Sequence, residues 1–243
     1  MRRLLMVIAL AVCIGGGTGS GGAAAQAVID GWSWSILVPS YTQTDVLGSH
    51  LRELMNRDAQ RDMPPPDVSA LRYTPSKARR SANLSAFVER TRAVDPNGAA
   101  DLQRLFADGD IIEKIAALIA PHGLRVDNLA DAYALWWVTA WQATRGDNDT
   151  LGHDVMAAVR AQAARALNDA GGPARASDAQ KQELAEALLV QTALIDGAVE
   201  QAKGNPVRMR QVRAAVSNGA QRMGLDMARM ELTGGGFVPG GGR

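Results

Sequence analysis

From residue 77 onward the apolar positions recur with the period of an α-helix. Leu84, Phe87, Val88 and Val94 mark a first helix over 77–94. Asp95-Pro96 has the form of an N-cap followed by proline in the first turn, and the helix it starts carries Leu102, Leu105 and Phe106. Over 110–120 the residues Ile111, Ile112, Ile115, Leu118 and Ile119 make a broad apolar face. Pro121-His122-Gly123 ends that helix, with Gly123 suited to the left-handed position and Leu124 able to fold back on the last turn. Asp127 or Asn128 then caps a helix that reaches about Gly146. A further helix starts at Asp149 or Thr150, holds Leu151, Val155, Met156, Val159 and Leu167, and stops at Gly171-Gly172-Pro173. Ser177 caps the next, which Gly204 ends, and the last runs from Pro206 to about Leu232.

The remainder reads differently. Trp32, Trp34, Ile36 and Val38 alternate as in an extended segment with one buried face, yet no partner strand is evident. Pro64-Pro65-Pro66 and Pro75 cannot sustain a helix and predict a linker. The tail from Gly234 to Arg243 holds six glycines and a proline, a composition of disorder. The pattern predicts an all-α fold, an irregular bundle of about six to seven helices over 76–232. It is preceded by a poorly ordered extension over 28–75 and followed by a disordered Gly-rich tail over 233–243.

The first residues change this picture. Arg2 and Arg3 precede an apolar run from Leu4 to Ile14 that is too short to span a bilayer, and Ala25-Gln26-Ala27 fits the small-x-small cleavage rule. Residues 1–27 are therefore expected to be a secretory signal, with the mature chain starting near Val28 in the periplasm or outside the cell and containing no transmembrane segment. The alternatives fit less well: Leu10-Ala11-Val12-Cys13 has Val where a lipoprotein box wants a small residue, and the residues flanking the Arg pair do not suit twin-arginine export. Cleavage removes Cys13, the only cysteine, so stability rests on packing without disulfides. It also takes the basic residues from 26 to 24 against 25 acidic and the formal charge from +1 to −1, a balance that does not suit bulk nucleic-acid binding.

The stretch ADAYALWWVTAWQ, residues 130–142, concentrates three of the five tryptophans. At 100° per residue Leu129, Tyr133, Trp136, Trp137, Ala140 and Trp141 share an arc of roughly 140°. Leu135 and Val138 fall opposite, so the helix is apolar nearly all round, as a central helix is. Each buried Trp removes on the order of 200 Å² from water, roughly 5 kcal/mol of gross burial at about 25 cal/mol per Å². That energy favours a core role over a binding platform. The platform reading keeps four candidate ligand-binding residues, Asp127, Asp131, Tyr133 and Trp137, in which two carboxylates one turn apart would flank an aromatic pocket. For Asp131 the plain account is a first-turn acid interacting with the helix N-terminus; placed among apolar neighbours, it requires hydrogen bonds or an arginine.

Other motifs carry no chemistry. Gly17-Thr18-Gly19-Ser20-Gly21-Gly22 matches G-x-G-x-x-G only inside the predicted signal. His50, His122 and His153 have no metal-ligand spacing, His153 and Asp154 are sequence neighbours that diverge on a helix, and no nucleophile elbow is present. No catalytic residue, metal or cofactor is expected. Two stretches are basic, one around Arg79 and Arg80 and one around Arg208 and Arg210. Side by side they would suit an anionic envelope polymer, lipid headgroups or an acidic protein; the plainer account pairs them with the acid-rich helix holding Glu183, Glu186 and Glu200.

Leu71-Arg72-Tyr73-Thr74-Pro75-Ser76, Arg79-Arg80-x-x-Asn83-Leu84, Asp95-Pro96 and above all Asn128-Leu129-Ala130-Asp131-Ala132-Tyr133-Ala134-x-Trp136-Trp137 resemble an uncharacterised family of exported bacterial proteins, over about residues 70–230. The resemblance implies a signal peptide followed by a helical domain of unknown function and brings no catalytic residues. The expected role is a non-catalytic interaction or accessory module of the cell envelope; the alternative is a hydrolase-like enzyme or small-ligand binder using a pocket beside the aromatic helix.

Overall fold

The computed structural model describes residues 65–93 and 95–240. The predicted signal, the alternating segment at Trp32–Val38, the first proline of the linker, Val94 and the last three residues of the tail lie outside them.

Eight α-helices are found among the described residues: α1 Lys77–Arg92, α2 Pro96–Ala107, α3 Ile111–Ile119, α4 Leu129–Ala143, α5 His153–Ala170, α6 Gly172–Arg175, α7 Asp178–Ala202 and α8 Pro206–Arg222. Their starts are fixed locally. Ser76, Asp95, Asp110, Asn128 and Asn205 each accept a first-turn backbone N–H, and Ser177 forms a full capping box with Gln180. Gly123 takes φ 73°, and Leu124 N–H bonds Ile119 O while Gly123 N–H bonds Ala120 O, the paired bonds of a Schellman close. The fold is all-α apart from one small hairpin.

The aromatic helix α4 and the long helix α7 pack on each other at the centre, with α5 and α8 also against α4 and with α1, α3 and α8 also against α7. Trp136 and Trp137 are fully buried and Tyr133 nearly so. Among the described residues neither indole N–H has a hydrogen-bond partner, and both rings are held by the packing around them.

Four features differ from expectation. The last helix stops at Arg222 instead of near Leu232, because Gly224 at φ 76° closes a second Schellman motif, Leu225 N–H to Ala220 O and Gly224 N–H to Gln221 O. The tail expected to be disordered instead forms β1 Met230–Thr233 and β2 Gly236–Pro239, an antiparallel hairpin pairing Leu232 with Phe237. Its glycines serve geometry: Gly234 and Gly235 make the turn, and Gly236 sits at φ 98° where a Cβ would lie 2.5 Å from Gln162. Phe237 is completely buried, stacked on Trp137 at 4.3 Å and edge-on to Trp141. The linker also packs before Lys77, since Leu71 and Tyr73 are buried and Arg72 bridges Asn128. Finally α5 begins at His153 rather than at Asp149 or Thr150, which leaves residues 144–152 as a loop.

Candidate functional site

Asp127 and Asp131 do not stack as turns of one helix, because Asn128 is the N-cap and Asp127 precedes it. Asn128 Oδ1 accepts from the N–H groups of Ala130 and Asp131, and its amide donates to Val68 O. Asp127 is half-buried, and Arg125 donates to it from Nε at 2.7 Å and Nη2 at 2.6 Å and holds its carboxyl below the usual range.

Asp131 is fully buried. One oxygen accepts from the Arg125 backbone N–H at 2.9 Å and the other from Arg160 Nε on α5. Burial raises its pKa, and Arg160 opposes that rise. Asp131 stays in the first turn of α4, and its burial is met by hydrogen bonds and an arginine, an internal ion pair that ties α4 to α5. Tyr133 and Trp137 are buried on the same helix, Tyr133 against Trp136 at 5.6 Å and Trp137 against Phe237. The four candidates therefore separate: Asp127 lines an open groove of about 470 Å³ with Arg72, Tyr73, Thr74, Pro75 and Asp178, while the other three face the interior.

The basic candidates separate too. Arg80 is buried, donating from Nη1 to Asp110 at 2.6 Å and to Glu113 at 2.8 Å, and from Nε to Glu186 at 3.0 Å. Asn83 and Gln182 complete the shell of Glu186. With its side chain only 7 % exposed and Nη1 and Nε both bonded to carboxylates, Arg80 is corrected from a surface contact to an internal hub. Arg79 donates to Thr74 O, Arg208 donates to Gln201, and Arg210 is exposed. Glu186 and Gln201 are fifteen residues apart on α7, roughly 22 Å of helix, so the two arginine pairs sit toward opposite ends of α7. The plainer account holds in part, with Arg80 on Glu186 and Arg90 on Glu183 at 3.6 Å.

A second concavity touches the other face of α4. It is lined by Leu135, Val138, Thr139 and Gln142, by His122 and Leu124, and by loop residues Asn148 to Leu151, and its volume is about 20 Å³, the room of a single water. Behind it Asn148 Nδ2 donates to Asp196 at 3.1 Å and Glu200 at 3.2 Å. Asp196 is buried, and that burial pushes its pKa up to about 7. Sequence reasoning passed over Asp196; its signal was an acid flanked by Leu194, Ile195 and Val199, a buried polar position by pattern. Arg160, Gln162 and Phe237 left no such signal, since each acts on a residue distant in sequence. Among the described residues no group of three metal-ligating side chains occurs, and no helix is long and apolar enough to cross a membrane.

The segments that carry the resemblance are these same structural joints: Arg80 and Asn83 gripping Glu186, and Asn128, Asp131 and the paired tryptophans building α4. Residues 40–239 match the model of a family of unknown function, DUF6683. The chain belongs to this family. The matched span takes in α1 to α8 and the hairpin, so Phe237 on Trp137 lies within the family domain. Neither the curated proteins nor the solved structures compared with the chain yield a match.

Proposed function

We propose that this chain is exported and acts at the bacterial cell envelope as a non-catalytic binding module. The observation that supports the reading most is the internal use of its chemically capable side chains: Asp131 is neutralised by Arg160, Arg80 by three carboxylates, and Tyr133, Trp136 and Trp137 are closed into the core. The described surface carries charged side chains, among them Arg72, Asp127 and Asp178 around one groove and the exposed Arg210. The cationic start, short apolar run and Ala25-Gln26-Ala27 of the sequence support export. The expected partner is an envelope protein or an anionic envelope polymer.

The test uses the full chain expressed in a bacterium. Its recovered form is expected to have the mass of a chain starting at Val28 and to be retained on isolated envelopes, with retention falling as ionic strength rises and on Arg210→Glu. A chain that keeps residues 1–27 in the cytoplasmic fraction, or that passes freely through envelope material, overturns the proposal.

The small-ligand alternative has one observation in its favour, the cavity beside α4 backed by Asn148 and the buried Asp196. At about 20 Å³ it takes a guest larger than water only if the loop over 144–152 moves.

A further inference from the structure

We propose that the loop over 144–152 is latched to α7 by Asn148 and that protonation of Asp196 loosens the latch, opening the cavity beside α4. One amide nitrogen, Asn148 Nδ2, reaches two carboxylates one helical turn apart, Asp196 at 3.1 Å and Glu200 at 3.2 Å. With both carboxylates ionised, each amide hydrogen makes a charge-assisted bond and the donor separates two like charges. A protonated Asp196 is a weaker acceptor, so the amide loses much of one anchor.

The loop is built to respond as a unit. Asp147 Oδ1 accepts the N–H groups of Asn148 and Asp149, which holds Asn148 pointing at α7, and Gln142 Nε2 donates to Asp149 O at 2.7 Å. Gly146 at φ 77° lies at one end, where a Cβ would meet Met209 of α8, and Gly152 caps α5 at the other. Leu151 packs from this loop onto the core and, with Asn148 and Thr150, forms the outer wall of the cavity over Leu135 and Val138. Loss of the Asn148 anchor therefore moves that wall.

The charged groups around Asp196 are few. Glu200 and Lys203 act on it from α7 itself, Asp147 and Asp149 flank Asn148 in the loop, and α8 brings Arg213 to Thr144 O and Arg208 to Gln201. On α4 the only charged side chain is Asp131, which begins the helix at the end away from the loop. The cluster of Arg80, Glu183 and Glu186, where α1 and α3 meet α7, lies ten residues along from Asp196, roughly 15 Å. Burial pushes the Asp196 carboxyl up to about 7, Asn148 opposes the rise, and Glu200 adds to it, which places the change near neutral pH.

The experiment is amide hydrogen exchange on the full chain, read as protection factors for residues 147–152 so that the intrinsic pH dependence of exchange is removed. Protection of the loop is expected to rise roughly five- to tenfold as pH goes from acid to alkaline through neutrality, the effect of strengthening one hydrogen bond to a charged group. Asp196→Asn removes that dependence while the protection of α7 persists. Asn148→Ala gives a weakly protected loop at every pH. Equal protection on both sides of neutrality in the unmodified chain overturns the proposal. So does a pH dependence that survives in either variant.

Discussion

Two ion pairs, Arg80 with Glu186 and Arg160 with Asp131, neutralise carboxylates that are buried in the core. Asp131 is the clearest case, since it is fully buried and bonded to both Arg160 and the Arg125 N–H. Asp131→Ala strands the Arg125 N–H and frees a guanidinium that is itself partly exposed, so the expected loss is about 2–3 kcal/mol of unfolding free energy, read by urea denaturation. Asp131→Asn, which can still accept from the Arg125 N–H, is expected to lose less. Asp196 has the opposite balance, because among the described residues its bonded partner is the neutral amide of Asn148. Its folded pKa, about 7, is above the ordinary 3.8, so between those values the native chain binds more protons than the unfolded one. Its contribution is fully present below pH 4 and is lost as pH rises toward 7. Asp196→Asn is expected to flatten the stability profile in that window and to be the more stable protein at pH 8. Asp127 and Asp178 have depressed pKa values, and their stabilisation is lost as pH falls through the range below 4. A profile of unfolding free energy against pH for the two proteins separates these windows.

At the scale of elements, the C-terminal hairpin shows how two short strands can be stable without a third strand beside them. Gln162 of α5 donates from Nε2 to Phe237 O at 2.7 Å and accepts Phe237 N–H at 2.8 Å, occupying the outer edge of β2 as a neighbouring strand would. Trp141 Nε1 and Arg145 Nη2 both donate to Met230 O on β1, and the Arg145 guanidinium lies 3.9 Å from the Trp141 ring centroid. Phe237→Ala empties the stack on Trp137 and is expected to cost about 3–4 kcal/mol. Gly236→Ala meets both a left-handed φ of 98° and the Gln162 amide, and is expected to destabilise by at least about 1 kcal/mol. A thermal melt that left either variant at the parent midpoint would show that the hairpin is not docked on α5 and α4.

The hairpin, α4, α5, α7 and α8 share one continuous core, α1 and α3 join it through α7, and α2 joins it through α1. The described residues are therefore expected to unfold in one cooperative step, with far-UV circular dichroism and indole fluorescence tracing superimposable urea curves. Two separated transitions would contradict a single core. At this scale the sequence and the fold agree most closely where the information is local. Helix starts at Ser76, Asp95, Asp110 and Ser177 and the close at Gly123 follow from caps and glycine acting within a few residues. The paired tryptophans were legible as core because apolar positions surround the whole of α4, and burial of two indoles outweighs any display of them. The candidate site was much less legible. Asp127 and Asp131 looked like neighbours by spacing, and the cap at Asn128 separates them.

The sequence by itself determined the all-α class, the order of the helices and the central place of α4, since these follow from period, capping and apolar content read over short windows. Only the tertiary structure decided which charges are internal and which glycines are ordered. Arg80 turns inward because Glu186 is carried to it from 106 residues away. The tail folds because Gln162 and Trp137 supply the contacts that its own residues lack. Pairings across such distances depend on how whole helices pack, and no local pattern of residues encodes them.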